Sequence, residues 1–120
     1  MEMNSEKKPD IEVLLAVLIS DGAREIEVEC DRGEWWVSVV DGNTALGVMR
    51  YSTEQEMKRV DIALDRLRKE KSISVNGQPF RLSFAYRENF FEPSWRIRVS
   101  EKKTRESNKS VARRRGKPRA

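Results

Sequence analysis

The chain has 120 residues, enough for one modest hydrophobic core and not for two. Apolar residues make up 38% and charged residues 37%, a balance that fits a soluble globular domain with a heavily solvated surface and frayed ends. A single cysteine, Cys30, excludes an intramolecular disulfide, and the absence of His removes the commonest zinc and catalytic ligand.

The formal charge of +4 is unevenly spread. Residues 101–120 hold nine Lys or Arg (Lys102, Lys103, Arg105, Lys109, Arg113, Arg114, Arg115, Lys117, Arg119) against Glu101 and Glu106, a net of +7 that leaves −3 for residues 1–100. The basic character therefore belongs to the C-terminal segment, and a nucleic-acid argument drawn from the whole-chain charge would misplace the site.

Residues 1–9, "MEMNSEKKP", are polar and mixed in charge, which predicts disorder and is wrong for a signal peptide. Asp10 is placed to cap a helix over "IEVLLAVLIS", and Asp21-Gly22 to stop it. Val, Ile and Leu are dense enough there that a buried strand also satisfies the periodicity; the length of the run and its cap-like ends favour helix. The longest apolar run, Val13 to Ile19, is far short of the ~20 residues a membrane helix needs, so no membrane insertion is expected.

"REIEVEC" alternates with a period of two, with Ile26, Val28 and Cys30 on one face and Glu25, Glu27 and Glu29 on the other, the pattern of a half-buried strand. A turn at "DRG" leads to a second strand, "EWWVSVV". There Trp35, Val37 and Val39 share one face, and Trp36, Ser38 and Val40 the other, which predicts a cover on both. After Asp41-Gly42-Asn43, "TALGVMRY" is a candidate third strand.

Ser52-Thr53-Glu54 opens a second helix, in which either hydroxyl can cap. Met57, Val60, Leu64 and Leu67 form its apolar stripe, and the basic end "RLRKEK" suits the C-terminal dipole. Asn76-Gly77 supplies the positive φ angles of a type I′ hairpin turn. In the strand that follows, Phe80, Leu82, Phe84 and Tyr86 point one way and Arg81, Ser83, Ala85 and Arg87 the other. "RENFFEPS" reads as a loop, and "WRIRVS" as a last strand with Trp95, Ile97 and Val99 opposite Arg96 and Arg98. The expected fold is α+β: a mostly antiparallel sheet of about five to six strands packed on two helices over residues 10–100, followed by a disordered basic tail over 101–120.

Little in this inventory suits catalysis. No triad, thiolate cluster or phosphate-cradling loop can be assembled, and three carboxylates along one exposed strand face are solvated alike rather than tuned apart as acid/base work requires. The chain reads as a non-enzyme without cofactor or metal. The arginines are more informative. If the last two long strands are neighbours, Arg81, Arg87, Arg96 and Arg98 share the sheet face away from the core, and like charges on adjacent strands cost stability. Either the glutamates of the first strand lie beside them, or an acidic partner, protein or nucleic acid, binds there. "FFEPSW" is either an exposed aromatic patch or a plug at the core's edge. "VARRRGKPRA" has no apolar period, so its contribution is electrostatic: phosphate neutralisation, or simple solubility.

With these elements placed, a helix followed by Gly22-Ala23-x-x-Ile26-x-Val28-Glu29, and then a strand ending Asp41-Gly42, resembles the domain that precedes the motor in type II secretion and type IV pilus assembly ATPases. The later layout is similar too, with a helix, a strand after Gly77 carrying Arg81, and a closing Arg98-Val99-Ser100. Where that family has Ser-Asp and His, this chain has Arg24-Glu25 and Glu27, and it stops where the nucleotide-binding domain would begin. The resemblance implies a mixed α/β module for subunit contacts, without ATPase activity. The expectation is a cytoplasmic protein-interaction module, an adaptor or regulator of such an ATPase, that docks a partner through Arg81, Arg87, Arg96, Arg98, Glu25, Glu27 and Glu29. Self-association and the ATPase itself are the candidate protein partners. The alternative is a nucleic-acid-binding protein anchored by the basic residues from Lys102 to Arg119, with Arg81, Arg87, Arg96 and Arg98 as its folded surface.

Overall fold

A computed structural model describes residues 8–89 and 91–101. The chain runs α1 (Ile11–Ser20), β1 (Glu25–Asp31), β2 (Glu34–Asp41), β3 (Thr44–Tyr51), α2 (Glu54–Glu70), β4 (Ser72–Val75), β5 (Gln78–Asn89) and β6 (Glu92–Glu101). The six strands form one antiparallel sheet in the order β3-β2-β1-β6-β5-β4. The architecture is the expected α+β, with both helices against one face.

Each helix forms for a different reason. In α1, Ile11, Leu14, Leu15 and Ile19 are buried, so burial settles the helix-or-strand ambiguity in favour of helix. The Asp10 side chain, expected to cap, makes no cap hydrogen bond; only its carbonyl closes the first turn, accepting from Leu14 N–H at 3.0 Å. In α2 local chemistry is complete. Thr53 Oγ1 accepts from Glu56 N–H, and the Glu56 carboxylate accepts from the Thr53 and Ser52 N–H groups, a full capping box. The helix ends on Lys71 in the left-handed region, and Val60, Ala63, Leu64 and Leu67 face the sheet, with Met57 partly buried beside them.

Under the helices lies the core: Ile26 and Val28 of β1, Trp35 and Val37 of β2, Leu82 of β5, and Ile97 and Val99 of β6. The predicted alternation is thus realised in these strands. The β4–β5 turn has φ of 52° at Asn76 and 80° at Gly77, both positive as the sequence requires. Two clasps tie distant segments together. The Glu92 carboxylate accepts from the Arg32 and Gly33 N–H groups in the β1–β2 turn, at 3.1 and 3.2 Å, and Trp35 Nε1 donates to Asp61 on α2 at 3.2 Å.

Lys8 and Pro9 fasten the entry to α1. Lys8 Nζ donates to the Arg50 carbonyl at 2.6 Å, and Tyr51 OH donates to the Pro9 carbonyl at 2.7 Å. Burial, reinforced by the nearby Asp10 and Glu56 carboxylates, pushes the Tyr51 phenol up to about 12.

Two expectations need correction. "RENFFEPS" is not a loop: β5 continues to Asn89 and β6 starts at Glu92, with Glu88 opposite Pro93. In an antiparallel ladder alternate residues bond alternate neighbours, and the β1–β6 register stops at Ser94, so the missing N–H of Pro93 deprives β1 of nothing it uses. Nor is the Trp36 face covered by any described element. Trp36 is 36% exposed and is sheltered by its cross-strand neighbour Arg50, whose guanidinium lies 5.3 Å from the ring. No helix among the described residues is long and apolar enough to cross a membrane. The basic residues from Lys102 to Arg119 lie outside the described residues, as does Phe90.

Candidate interaction face

The sheet face away from the helices collects the charged positions of the alternating strands. Register fixes the rows across it. Arg50, Trp36, Glu29, Ser94 and Arg87 form one row; Ser38, Glu27, Arg96 and Ala85 the next; Glu25, Arg98 and Ser83 a third; and Arg81 lies opposite Ser100 at the end. All seven residues singled out in the sequence therefore lie on one face. Glutamates hold the middle of it and arginines dominate β5 and β6.

Arg96 is the hub. Its Nη1 lies 2.6 Å from Glu25 Oε2 and its Nη2 3.9 Å from Glu27 Oε2, with the three side chains between 19% and 28% exposed. A pair this short and half-buried is a charge-assisted hydrogen bond rather than a loose surface contact. Glu25 also meets Arg98 at 4.0 Å, but Arg98 stays 75% exposed, so that contact is weak and solvent-screened. Ser94, itself buried, donates its hydroxyl to Glu27 at 3.4 Å. Glu27, the residue standing where the resembling family has His, thus has an arginine neighbour, Arg96.

The two explanations offered for the arginines are therefore divided among them. Arg96 is ion-paired within the sheet through its two Nη atoms, while its Nε is buried without a hydrogen-bond partner among the described residues. Arg81 and Arg87 are exposed and form no ion pair among the described residues, and Arg98 keeps most of its surface in water. What the face offers a partner is a basic strip along β5 and β6, flanked by glutamates that set the position of Arg96.

"FFEPSW" is split in a similar way. Phe91, at the β5–β6 turn, is 92% exposed, while Trp95 packs at the edge of the core, edge-on to Phe84 at 6.0 Å and tilted against Tyr86 at 4.8 Å. Arg68 of α2 lies 4.7 Å from the Trp95 ring. Sequence reading missed Ser94 and Arg68. Ser94 sits in a segment taken for loop, and Arg68 reads as one more charge at the basic end of a helix.

No group of three or more Cys, Asp or Glu among the described residues is arranged to hold a metal. Burial, then the Glu92, Asp61 and Asp31 carboxylates, push the Cys30 thiol up, opposed by a hydrogen bond from Gly33 N–H; this makes it a poor thiolate. Comparison with protein-family models and with curated proteins gives no match.

Proposed function

We propose that this chain is a non-enzymatic protein-interaction module that docks an acidic protein surface on the Arg81, Arg87 and Arg98 strip of its open sheet face. One observation supports this above the rest: Glu25 and Glu27 hold Arg96 closely, whereas among the described residues Arg81 and Arg87 form no ion pair and Arg98 stays 75% exposed, on a face no described helix covers. Complementary charge on such a strip steers and orients a partner more than it adds affinity. The element order, helix, three strands, helix, three strands, keeps the layout on which the resemblance to the pre-motor domain of secretion and pilus ATPases is drawn. We therefore take the partner to be an assembly ATPase of that kind, and the role to be that of adaptor or regulator in the cytoplasm.

Binding of the full chain to the assembly ATPase of the same cell, measured by calorimetry, tests this reading. The triple substitution Arg81→Glu, Arg87→Glu, Arg98→Glu is expected to abolish binding without loss of fold. Equal binding by the triple variant, or none by the native chain, contradicts it.

A second reading is favoured by where β6 ends. β6 ends at Glu101, next to the end of the sheet where Arg81 pairs with Ser100 and Arg98 is exposed, and these arginines, with the basic residues from Lys102 to Arg119 in the sequence, suit neutralisation of a phosphate backbone. It predicts duplex binding that weakens steeply with salt and is largely lost when residues 102–120 are removed.

A further inference from the structure

β5 is twelve residues long and its outer neighbour β4 only four. β4 pairs with Gln78 to Arg81, and Leu82 N–H reaches the Lys71 carbonyl at 2.9 Å; beyond that point no described strand borders β5 on this side. Backbone groups alternate direction in an antiparallel ladder, so the N–H and C=O groups of Phe84, Tyr86 and Glu88 face outward as Leu82 does. The opposite edge of the sheet is blunted: β3 has a register irregularity opposite Val37 and Ser38, and Lys8 occupies the Arg50 carbonyl. The β5 edge has neither protection. It is instead backed by aromatics, Phe84 and Trp95 with a half-exposed Tyr86.

Beside this edge, where α2 ends, an open cleft of about 600 Å³ is lined by three cations, Arg68, Lys71 and Arg81, and one acid, Glu70, beside Leu82, Phe84 and Trp95. Arg68 Nε is buried there without a hydrogen-bond partner.

We propose that β5 pairs antiparallel with β5 of a second copy of this chain across a two-fold axis at Tyr86, joining the two sheets into one. The register follows from which groups are free. An axis at Tyr86 matches Phe84 to Glu88 of the second copy, Tyr86 to Tyr86, and Glu88 to Phe84, so every outward-facing pair is used, giving about six hydrogen bonds. An axis at Ala85 would send Glu88 to Leu82, whose N–H is already spent on Lys71; an axis at Arg87 would carry Phe84 past the end of the partner strand.

The same axis is self-complementary in charge and shape. Glu88 of the second copy arrives opposite Phe84, at the cleft holding Arg68 and Lys71. The turn that follows brings the 92%-exposed Phe91 to the mouth of that cleft. Because the contact is isologous, each copy gives a Glu88 and a Phe91 and receives one of each. On the other face, Arg87 comes opposite Ala85, and the two basic strips become continuous. This pairing uses the sheet edge and stands whether or not an ATPase docks on the open face.

Sedimentation equilibrium of the full chain tests it. A concentration-dependent mass of twice 14.0 kDa is expected. Tyr86→Pro removes an N–H that the monomer leaves unbonded, and is expected to give a folded monomer. Glu88→Arg sets like charge against Arg68 and is expected to raise the dimer dissociation constant about 10-fold, with Arg68→Glu in the same chain restoring it. A chain that is monomeric up to sub-millimolar concentration overturns the proposal, including the case in which another protein's strand occupies the edge. A dimer unchanged by both Tyr86→Pro and Glu88→Arg overturns it equally.

Discussion

The two faces of this sheet are made by the same strands and obey different physics. Toward the helices, Ile26, Val28, Val37 and Ile97 are 0% exposed, and the face is held together by burial. One residue along each strand, Glu27, Ser38 and Arg96 stay partly in water, and Glu27 and Arg96 are held by a few directional contacts. Packing on the first face fixes the backbone, and the backbone register alone brings Glu25, Glu27, Arg96 and Arg98 together on the second. The charged face is thus positioned by the core more than by its own interactions, so its exposed residues can change with little loss of fold.

Substitutions of opposite kind sharpen this contrast. The largest effect is expected on the covered face: Ile97→Ala, in β6 between β1 and β5, loses about 3 kcal/mol through the cavity it leaves, read as a lowered denaturation midpoint. On the open face, Arg96→Ala is expected to cost about 1–2 kcal/mol, because Glu25 and Glu27 lose their shared cation, while Arg98→Ala costs at most about 0.5 kcal/mol. Equal losses from Arg96→Ala and Arg98→Ala in chemical denaturation would break the distinction between hub and strip.

A smaller effect separates local chemistry from either face. Burial, the largest single influence on Glu56, raises its pKa, but the Thr53 and Ser52 N–H groups together with Lys8 outweigh it and leave the carboxyl below its ordinary value of 4.5. A depressed folded-state pKa contributes stability that is present above 4.5 and lost as the pH falls through the folded value. Glu56→Gln is expected to cost about 1 kcal/mol near neutrality and to flatten the acid limb of the stability profile, measured by thermal denaturation across pH. At the alkaline end Tyr51 acts with the opposite sign: its raised pKa favours the neutral phenol in the fold, so this contribution is lost as pH climbs from 10 towards about 12, and Tyr51→Phe removes that slope.

Much of this was legible in the sequence where a local rule decides. Strict alternation gave β1 its two faces, Asn76-Gly77 gave the hairpin, and Ser52-Thr53-Glu54 gave the start of α2, though not which hydroxyl caps it. What was hidden depends on neighbours far along the chain. Pro93 in "RENFFEPS" looks like a strand breaker until β1 is seen to stop short of it. Trp36 looks like a buried residue until Arg50 is seen across the strand gap. The open edge of β5 follows from a length mismatch with β4 that no residue announces. The four sheet arginines were placed on one face by alternation, but which of them the glutamates would satisfy depended on the β1–β6 register, set by pairing over some seventy residues.

The central claim, that the uncovered face is the docking surface, is tested most directly by mapping backbone amide shifts of the labelled full chain as the assembly ATPase is added. The account predicts perturbations at Arg81, Arg87 and Arg98 and their cross-strand neighbours Ser83, Ser94 and Ser100. Perturbations confined to the exposed sides of α1 and α2, with this strip unchanged, would contradict it.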